Sequence, residues 1–432
     1  MSTLERRDFL RRATGAVLFP MLTPSALAAL ADVAPSRSRT SDWVAAARAQ
    51  IPAVASPYFQ AAAFGPSPRV VIEEIARVAA LQNECPVGRA IMPVMTKVEP
   101  ALRAHLARAF GAHEDEVALT HSTSEGINIA AWSLDWRAGD EVVISNQEHP
   151  SNIIPWYALH DRFGVVIRTI SLDTGSALLP QLREVLSPRT RMVSIPHVSR
   201  NNGRVIPTAH SAKVADLLRA RGVRYHLDGA QGAGSVPLDF HALGADYYSA
   251  CGHKWLMGPK GTGAFFCRRA MLEETKLTWT GAHSHATMDY AGHYTLLPSA
   301  ARFEFGTRAL ADFAGFDRAL TWMEEIGFAR IFDRIQELVD HAVARTQSLG
   351  RFAIVSPTAR AERTGLFTLR LPPACVPAKI STALREEHDI QVGPVRDERD
   401  LRVAIHFFNT PEEIDAALDG IARYCAGSGG PA

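Results

Sequence analysis

The sequence predicts an α/β protein, with a large domain on a mainly parallel seven-stranded sheet and a smaller α+β domain at the carboxyl end. Three observations carry this expectation. Between about Pro100 and Arg269, short apolar, β-branched runs alternate with helical stretches; after Gly306 the alternation gives way to one long helical stretch and a few strands. A chain of 432 residues that is 47% apolar and 21% charged can bury one large core or two ordinary ones.

The strand runs of the first part are 117–120, 141–145, 165–171, 192–196, 225–228, 247–250 and 263–267. Strands separated by helices need crossover connections, so they pair mainly in parallel, are covered on both faces, and hold ligands off their carboxyl ends. In the second part a helical pattern over 312–349 precedes strands 352–355 and 366–371, helix 378–388, strand 402–407 and helix 411–424. The expected division is a leader over 1–31, an amino-terminal segment over 32–60, the large domain over 61–300 and the small one over 301–432.

The formal net charge is +1, and without residues 1–31, which hold four arginines and two acids, 42 basic residues face 43 acidic ones. A nearly neutral body offers no general electrostatic reason to bind nucleic acid or an anionic membrane. The five cysteines, Cys85, Cys251, Cys267, Cys375 and Cys425, show no paired spacing, which argues against a zinc site or a disulfide scaffold; their odd number leaves at least one thiol unpaired in a monomer.

Residues 5–11 read Glu-Arg-Arg-Asp-Phe-Leu-Arg, and a mildly apolar stretch from Ala13 to Ala31 ends in Ala26-Leu27-Ala28 and Ala29-Leu30-Ala31, two candidate cleavage sites. This resembles a twin-arginine export signal, which implies the twin-arginine machinery as a partner and a periplasmic address. A basic amino-terminal tail is the alternative. The stretch is interrupted by Pro20 and Pro24, and past Asp32 no apolar run approaches the ~18 residues a membrane span needs, so none is expected in the mature chain.

The chemistry concentrates between Tyr225 and Cys267, which runs from Tyr-His-Leu-Asp-Gly-Ala-Gln to Ser-Ala-Cys-Gly-His-Lys-Trp. Asp228 closes an apolar strand, where a carboxylate needs a cation, and a protonated ring nitrogen is such a cation. Gln231 is placed to reach the same ring's phenolic oxygen. Lys254 follows the next strand, and a partly desolvated lysine amine is nucleophilic enough to bond to an aldehyde. His253 beside it can donate to a phosphate. Singly, each has an ordinary reading as cap, surface charge or loop residue; their joint spacing is what speaks.

The Asp228-Gly229-Ala230-Gln231 and Gly252-His253-Lys254 runs resemble class V aminotransferases of pyridoxal 5′-phosphate (PLP) fold type I, among them cysteine desulfurases and isopenicillin N epimerases. The likeness extends from about Tyr58 to Tyr424, and it implies PLP as cofactor, held on Lys254. It also implies the remaining parts, which follow in order. Thr123 and Ser124, within Thr120-His121-Ser122-Thr123-Ser124-Glu125-Gly126, follow a strand and open a helix whose positive end suits a phosphate; a capping box of Ser122 with Glu125 is compatible with that role. His149, in Glu148-His149-Pro150-Ser151-Asn152, matches the histidine that stacks on the ring and assists proton transfer. Gly306 and Thr307 resemble the element that reaches the neighbouring subunit's phosphate, which implies a homodimer. Arg402 matches the arginine that clamps the substrate carboxylate.

Two departures bear on the reaction. Desulfurases carry a nucleophilic cysteine on a loop before this arginine, whereas 391–401 has none. They also place asparagine where this chain has Arg200, which either brings a cation to the ring oxygen or substrate cavity, or turns away and leaves the role to Asn201. Cys251 takes the place of a small residue and reads as packing or a weak phosphate contact. Arg308 after Gly-Thr resembles the epimerase branch. Further pocket candidates are Tyr58, Gln60, Trp279, His283, His285 and Arg308. The expected activity is transamination or epimerisation at Cα of an amino acid or amino-acid-bearing metabolite, with tailoring of a secreted metabolite as the conjecture from location. The alternatives are a carbon–sulfur lyase of the same fold and a non-catalytic binding protein. A nucleotide-binding α/β protein is disfavoured because no Gly-x-Gly-x-x-Gly opens a first βα unit.

Overall fold

Seven short runs of the chain, β1 (Val117–Thr120), β2 (Glu141–Ser145), β3 (Val166–Ile170), β4 (Thr190–Pro196), β5 (Arg224–Asp228), β6 (Tyr247–Cys251) and β7 (Gly263–Cys267), form one sheet in the order β1-β7-β6-β5-β4-β2-β3. The structure is a computed structural model and describes residues 41–173, 177–395 and 398–427. The expected export signal over 1–31, and 32–40 after it, lie outside the described residues. From Val44 onward the described residues make one compact unit.

The sheet is mainly parallel, as expected; only β7 runs against both its neighbours. Every residue of β1, β2, β6 and β7 is buried, so both faces of the sheet are covered, and only β3 at the edge is open. The six parallel strands share one carboxyl end, and five of the turns that leave it carry the candidate residues.

The long carboxyl-terminal helical pattern is in fact two helices, Leu310–Ile326 and Phe328–Leu349. Gly327, at φ 98°, breaks the chain in a conformation that a side chain resists. The first of the two packs on helices Arg69–Glu84 and Met92–Ala109, while the second lies against helix Pro411–Gly427. A hairpin, β8 (His285–Met288) with β9 (Tyr294–Leu296), had no counterpart in the expectations.

The small sheet pairs β10 (Ala353–Ile354), β11 (Leu366–Arg370), β12 (Gly393–Pro394) and β13 (Asp400–Ala404) antiparallel in the order β10-β11-β13-β12. Arg402 sits mid-strand, between Thr368 and Gly393, and does not open it. The chain near Phe59 joins this sheet: Phe59 N–H donates to Gln391 O at 2.9 Å and Ala404 N–H donates to Phe59 O at 3.0 Å. The cysteine pattern also needs correction, because Cys375 and Cys425 form a disulfide with Cα atoms 5.3 Å apart. It links the approach to helix Pro377–His388 with helix Pro411–Gly427, a pairing that a 50-residue separation hides in the sequence. Cys85, Cys251 and Cys267 are free.

Candidate active site

The turns leaving β1, β2, β4, β5 and β6 surround one cavity of about 320 Å³, lined by Thr123, Ser124, His149, Arg200, Asp228, Gln231, His253, Lys254 and Arg402 among others. Nine of the eleven expected site residues therefore meet in one place. Gly306 and Thr307 do not line it; Thr307 is exposed.

Behind β1 the chain turns at Ser122, whose side chain accepts from Glu125 N–H at 3.3 Å and caps helix Thr123–Ala131. The Ser122 cap thus coexists with the phosphate-ready helix end, but the expected capping box is incomplete, because Glu125 Oε2 accepts from His121 N–H at 2.7 Å and not from Ser122 N–H. Ser124 Oγ donates to Ser151 Oγ at 2.8 Å, tying this helix end to the turn after β2. In that turn His149 Nδ1 accepts from Ser151 N–H at 3.1 Å. Burial, then the charges of Arg200 and Lys254, pull the His149 pKa down to about 4, so its ring is neutral at pH 7. Beneath it, Glu148 is buried: Oε1 accepts from Ser145 N–H at 3.1 Å and Ser145 Oγ at 2.6 Å, and Oε2 accepts from Asn152 Nδ2 at 2.8 Å. Burial outweighs these bonds and pushes Glu148 up to about 8, with Asp228 adding a like charge.

Asp228 ends β5, and its Oδ1 accepts from Ala230 N–H at 2.9 Å. Burial raises its pKa, while the Ala230 N–H, Lys254 and Arg200 work against that rise. A carboxylate held this way is stabilised further by a cation set against it. Gln231 is more committed than expected: Nε2 donates to Ala62 O at 2.9 Å and Oε1 accepts from Trp255 Nε1 at 2.8 Å. One N–H is left to reach a ring oxygen, and the side chain chiefly holds the 62–65 loop. That loop was not anticipated. Ala62, Ala63 and Phe64 line the cavity, Phe64 lies 5.7 Å from the His253 ring, and Gly65 N–H donates to His253 O at 2.6 Å. A Cβ on Gly65 runs into the Lys254 carbonyl, so the close approach requires glycine.

Among the other candidates, Tyr58 turns its hydroxyl to Phe64 O at 2.6 Å, and Trp279, 59% exposed, faces solvent. Gln60, His283 and His285 do not line the cavity either. Arg308 is buried between Glu304 and Glu99, so it is structural. Glu304 in turn accepts from Leu119 N–H at 2.7 Å and pairs with Arg103 at 2.8 Å, pinning the Gly306-Thr307 segment to β1. Asn201 donates to Gln147 Oε1 at 2.9 Å and stays out of the cavity, so of the two alternatives it is Arg200 that lines it. Burial pushes the Cys251 thiol up, which keeps it protonated.

The cavity suits an anionic guest. Thr123 Oγ1, His253 Nδ1 and Arg402 Nε are buried without hydrogen-bond partners, and all three belong to residues that line it. Each such orphan costs about 1–3 kcal/mol unless a ligand meets it. Burial, then Lys254 and Lys260, lower His253 to about 4, so at neutral pH it meets such a guest as an uncharged ring.

The profile of the class-V aminotransferases matches residues 57–416. The chain belongs to that family. The family is PLP-dependent, and the residues gathered here fit that cofactor: a lysine amine, a buried carboxylate for a ring nitrogen, and a hydroxyl-bearing helix end for a phosphate. The chain is 30% identical over 390 residues to a probable cysteine desulfurase of Mycolicibacterium paratuberculosis, covering 86% of this chain and 55% of that protein. It thus spans little more than half of that relative's length. It is 28% identical over 381 residues to isopenicillin N epimerase of Streptomyces clavuligerus, covering 83% of this chain and 92% of that protein. Among solved structures, C-DES, as a lysine-to-alanine variant with glycine covalently linked to its PLP cofactor, matches with a TM-score of 0.81 at 29% identity, over 87% of this chain and 99% of its own. The same protein, described as a cystine C–S lyase, is known in complex with its reaction product cysteine persulfide, with a TM-score of 0.80.

Proposed function

We propose that the protein is an exported homodimeric PLP enzyme that moves a proton at Cα of an amino acid or amino-acid-bearing metabolite, leading to transamination or epimerisation. One observation carries the chemistry: a lysine amine, a buried carboxylate and three unpartnered buried donors converge in a single cavity. When bound, the cofactor supplies an aldehyde that bonds to amines and a ring that accepts the electrons left at Cα. Lys254 would hold the cofactor through its amine, and the same amine, released beside Cα, would serve as the base for the Cα proton. Asp228 would face the ring nitrogen and favour its protonated form. His149, neutral and anchored by Ser151, restrains the ring and gives an uncharged path for proton return. Thr123, Ser124 and the helix end bind the phosphate, and Arg402 orients the substrate carboxylate.

Export is supported by the paired arginines Arg6 and Arg7 and, independently, by the Cys375–Cys425 disulfide, since such bonds persist in oxidising compartments. There the enzyme would meet secreted metabolites. The dimer is supported by Gly306 and Thr307, whose family role is to serve a second copy's phosphate and which do not line their own cavity.

A second reading, a carbon–sulfur lyase, is favoured by the desulfurase relatives and by C-DES. In this chain it would have to work without a protein thiol as nucleophile, because 391–401 holds no cysteine and Cys251 is kept protonated. The test incubates the purified holoenzyme with a panel of amino acids, cysteine and cystine included, while following cofactor absorption, solvent deuterium at Cα, and sulfide and pyruvate release. Cofactor conversion to its amine form or deuterium at Cα supports the first reading; sulfide or pyruvate selects the second. Lys254→Ala is expected to abolish turnover and the absorption of the lysine-bound cofactor. Retention of both would end the assignment.

A further inference from the structure

The end of the large sheet away from the cavity gathers a second set of polar side chains. The cavity lies past Thr120, the last residue of β1, whereas Glu116 stands just before Val117, the first. Glu116 is 2% exposed and held from three directions: Oε1 accepts from Arg269 N–H at 2.9 Å, Oε2 accepts from His113 N–H at 2.9 Å, and His241 Nε2 lies 2.6 Å from the same Oε2. The His113 ring packs against the His241 ring with centroids 4.7 Å apart. Two imidazole nitrogens and a carboxylate oxygen, one from each residue, all lie within 4.8 Å of one another, the only such group of three among the described residues. Backbone bonds fix this meeting. Phe240 N–H donates to Phe110 O at 2.8 Å and His241 N–H to Gly111 O at 3.3 Å. Gly111, at φ 61°, permits the approach, since a Cβ there runs into Asp239.

An ion pair of Glu116 with His241 accounts for one imidazole, not two. Two imidazoles and a carboxylate together are a donor set for zinc, which takes three protein ligands and leaves a fourth position for water. The nearby Arg269 does not form an ion pair with Glu116, because its Nε donates to Asp115 at 2.6 Å. We propose that His113, Glu116 and His241 bind a divalent transition-metal ion of the zinc type, which clamps the turn entering β1 to the segment that follows Asp239. With bonds of about 2.0–2.2 Å, tetrahedral ligand atoms stand roughly 3.3 Å apart. His241 therefore draws back from Glu116 while His113 turns inward, and both rings are exposed enough to move. Binding displaces the proton shared by His241 and Glu116 to solvent, and both imidazoles coordinate in their neutral form. Since the ion lies at the opposite end of β1 from the cavity, it acts on stability and not on the cofactor.

The test titrates zinc chloride, and separately magnesium chloride, into untagged, chelator-washed holoenzyme by calorimetry, and repeats the zinc titration with His113→Ala, His241→Ala and the milder His241→Gln. One zinc per chain is expected, and no comparable magnesium binding, because magnesium prefers oxygen ligands. Each substitution should weaken zinc at least about tenfold. His113→Ala is decisive, because the Glu116–His241 pair survives it. With zinc about a hundredfold above its Kd, the parent should melt about 3 °C higher than without metal, and His113→Ala at the same concentration should gain about half of that or less. Cofactor absorption should be the same with and without zinc. The inference is overturned if the parent binds no zinc, if His113→Ala binds it as tightly as the parent, which leaves only an ion pair, or if magnesium binds equally well. It is also overturned if the first equivalent of zinc changes cofactor absorption, which would put the ion in the cavity.

Discussion

Replacing Cys375 and Cys425 together with serine removes the disulfide that closes a 50-residue stretch of the small domain. In the chain-entropy account, releasing a loop of that length costs about 4 kcal/mol of stability by enlarging the unfolded ensemble. Unfolding entropy scales with length, and for 432 residues it is roughly 0.9 kcal/mol per degree near the melting point. The double variant should therefore melt about 5 °C below the oxidised parent, and the parent should drop to match it once reduced. Thermal unfolding followed by circular dichroism, with and without reductant, measures this directly. Thiol titration of the denatured, unreduced parent should count three thiols, those of Cys85, Cys251 and Cys267. A count of five, or melting curves that coincide within a degree, would refute both the cross-link and its support for an oxidising address.

Two further outcomes follow from the packing around the cavity. Gly65→Ala sets a methyl against the Lys254 carbonyl, and such overpacking costs about 1–3 kcal/mol; cofactor affinity, read by absorbance titration of the apoprotein, should weaken roughly 5- to 150-fold. Glu148 keeps a proton in the folded state up to about pH 8, whereas the unfolded chain releases it near the ordinary carboxylate value of 4.5. Stability should therefore be indifferent to this group below that value and decline as pH rises from there towards 8, by a few kcal/mol at most. Glu148→Gln, which cannot ionise, should flatten that decline in urea titrations run from pH 5 to 8, and an unchanged slope would reject a protonated Glu148.

The large sheet was legible because its strands are buried on both faces and so appear as continuous apolar, β-branched runs, each placed to within two residues. The carboxyl-terminal helices were not separated because apolar spacing continues on both sides of Gly327, and one glycine in a helical pattern does not by itself announce a break. The hairpin of β8 and β9 escaped because its residues are mostly exposed and show no alternation. Site residues with distinctive chemistry, such as Asp228 and Lys254, could be read from spacing. Ala62 and Ala63 could not, since a small apolar side chain that lines a cavity has no signature of its own; only the close Gly65 contact explains that loop, and it appears on folding. Gln231 lines the cavity as expected, but its further duty of bonding Ala62 and Trp255 depends on residues distant in the chain and leaves no trace in the local sequence.

The stretch from Phe59 to Gly65 touches two places at once. At one end its backbone is knitted to Gln391 and to Ala404, the latter two positions along β13 from Arg402; at the other, Gly65 is bonded to the carbonyl before Lys254. The strand of Arg402 and the amine of Lys254 are thereby strung on a common tether only a few residues long. The small sheet and the turn that carries Lys254 are therefore fastened to each other through this stretch, and Ala62, Ala63 and Phe64, which lie between the two fastenings, form part of the cavity wall.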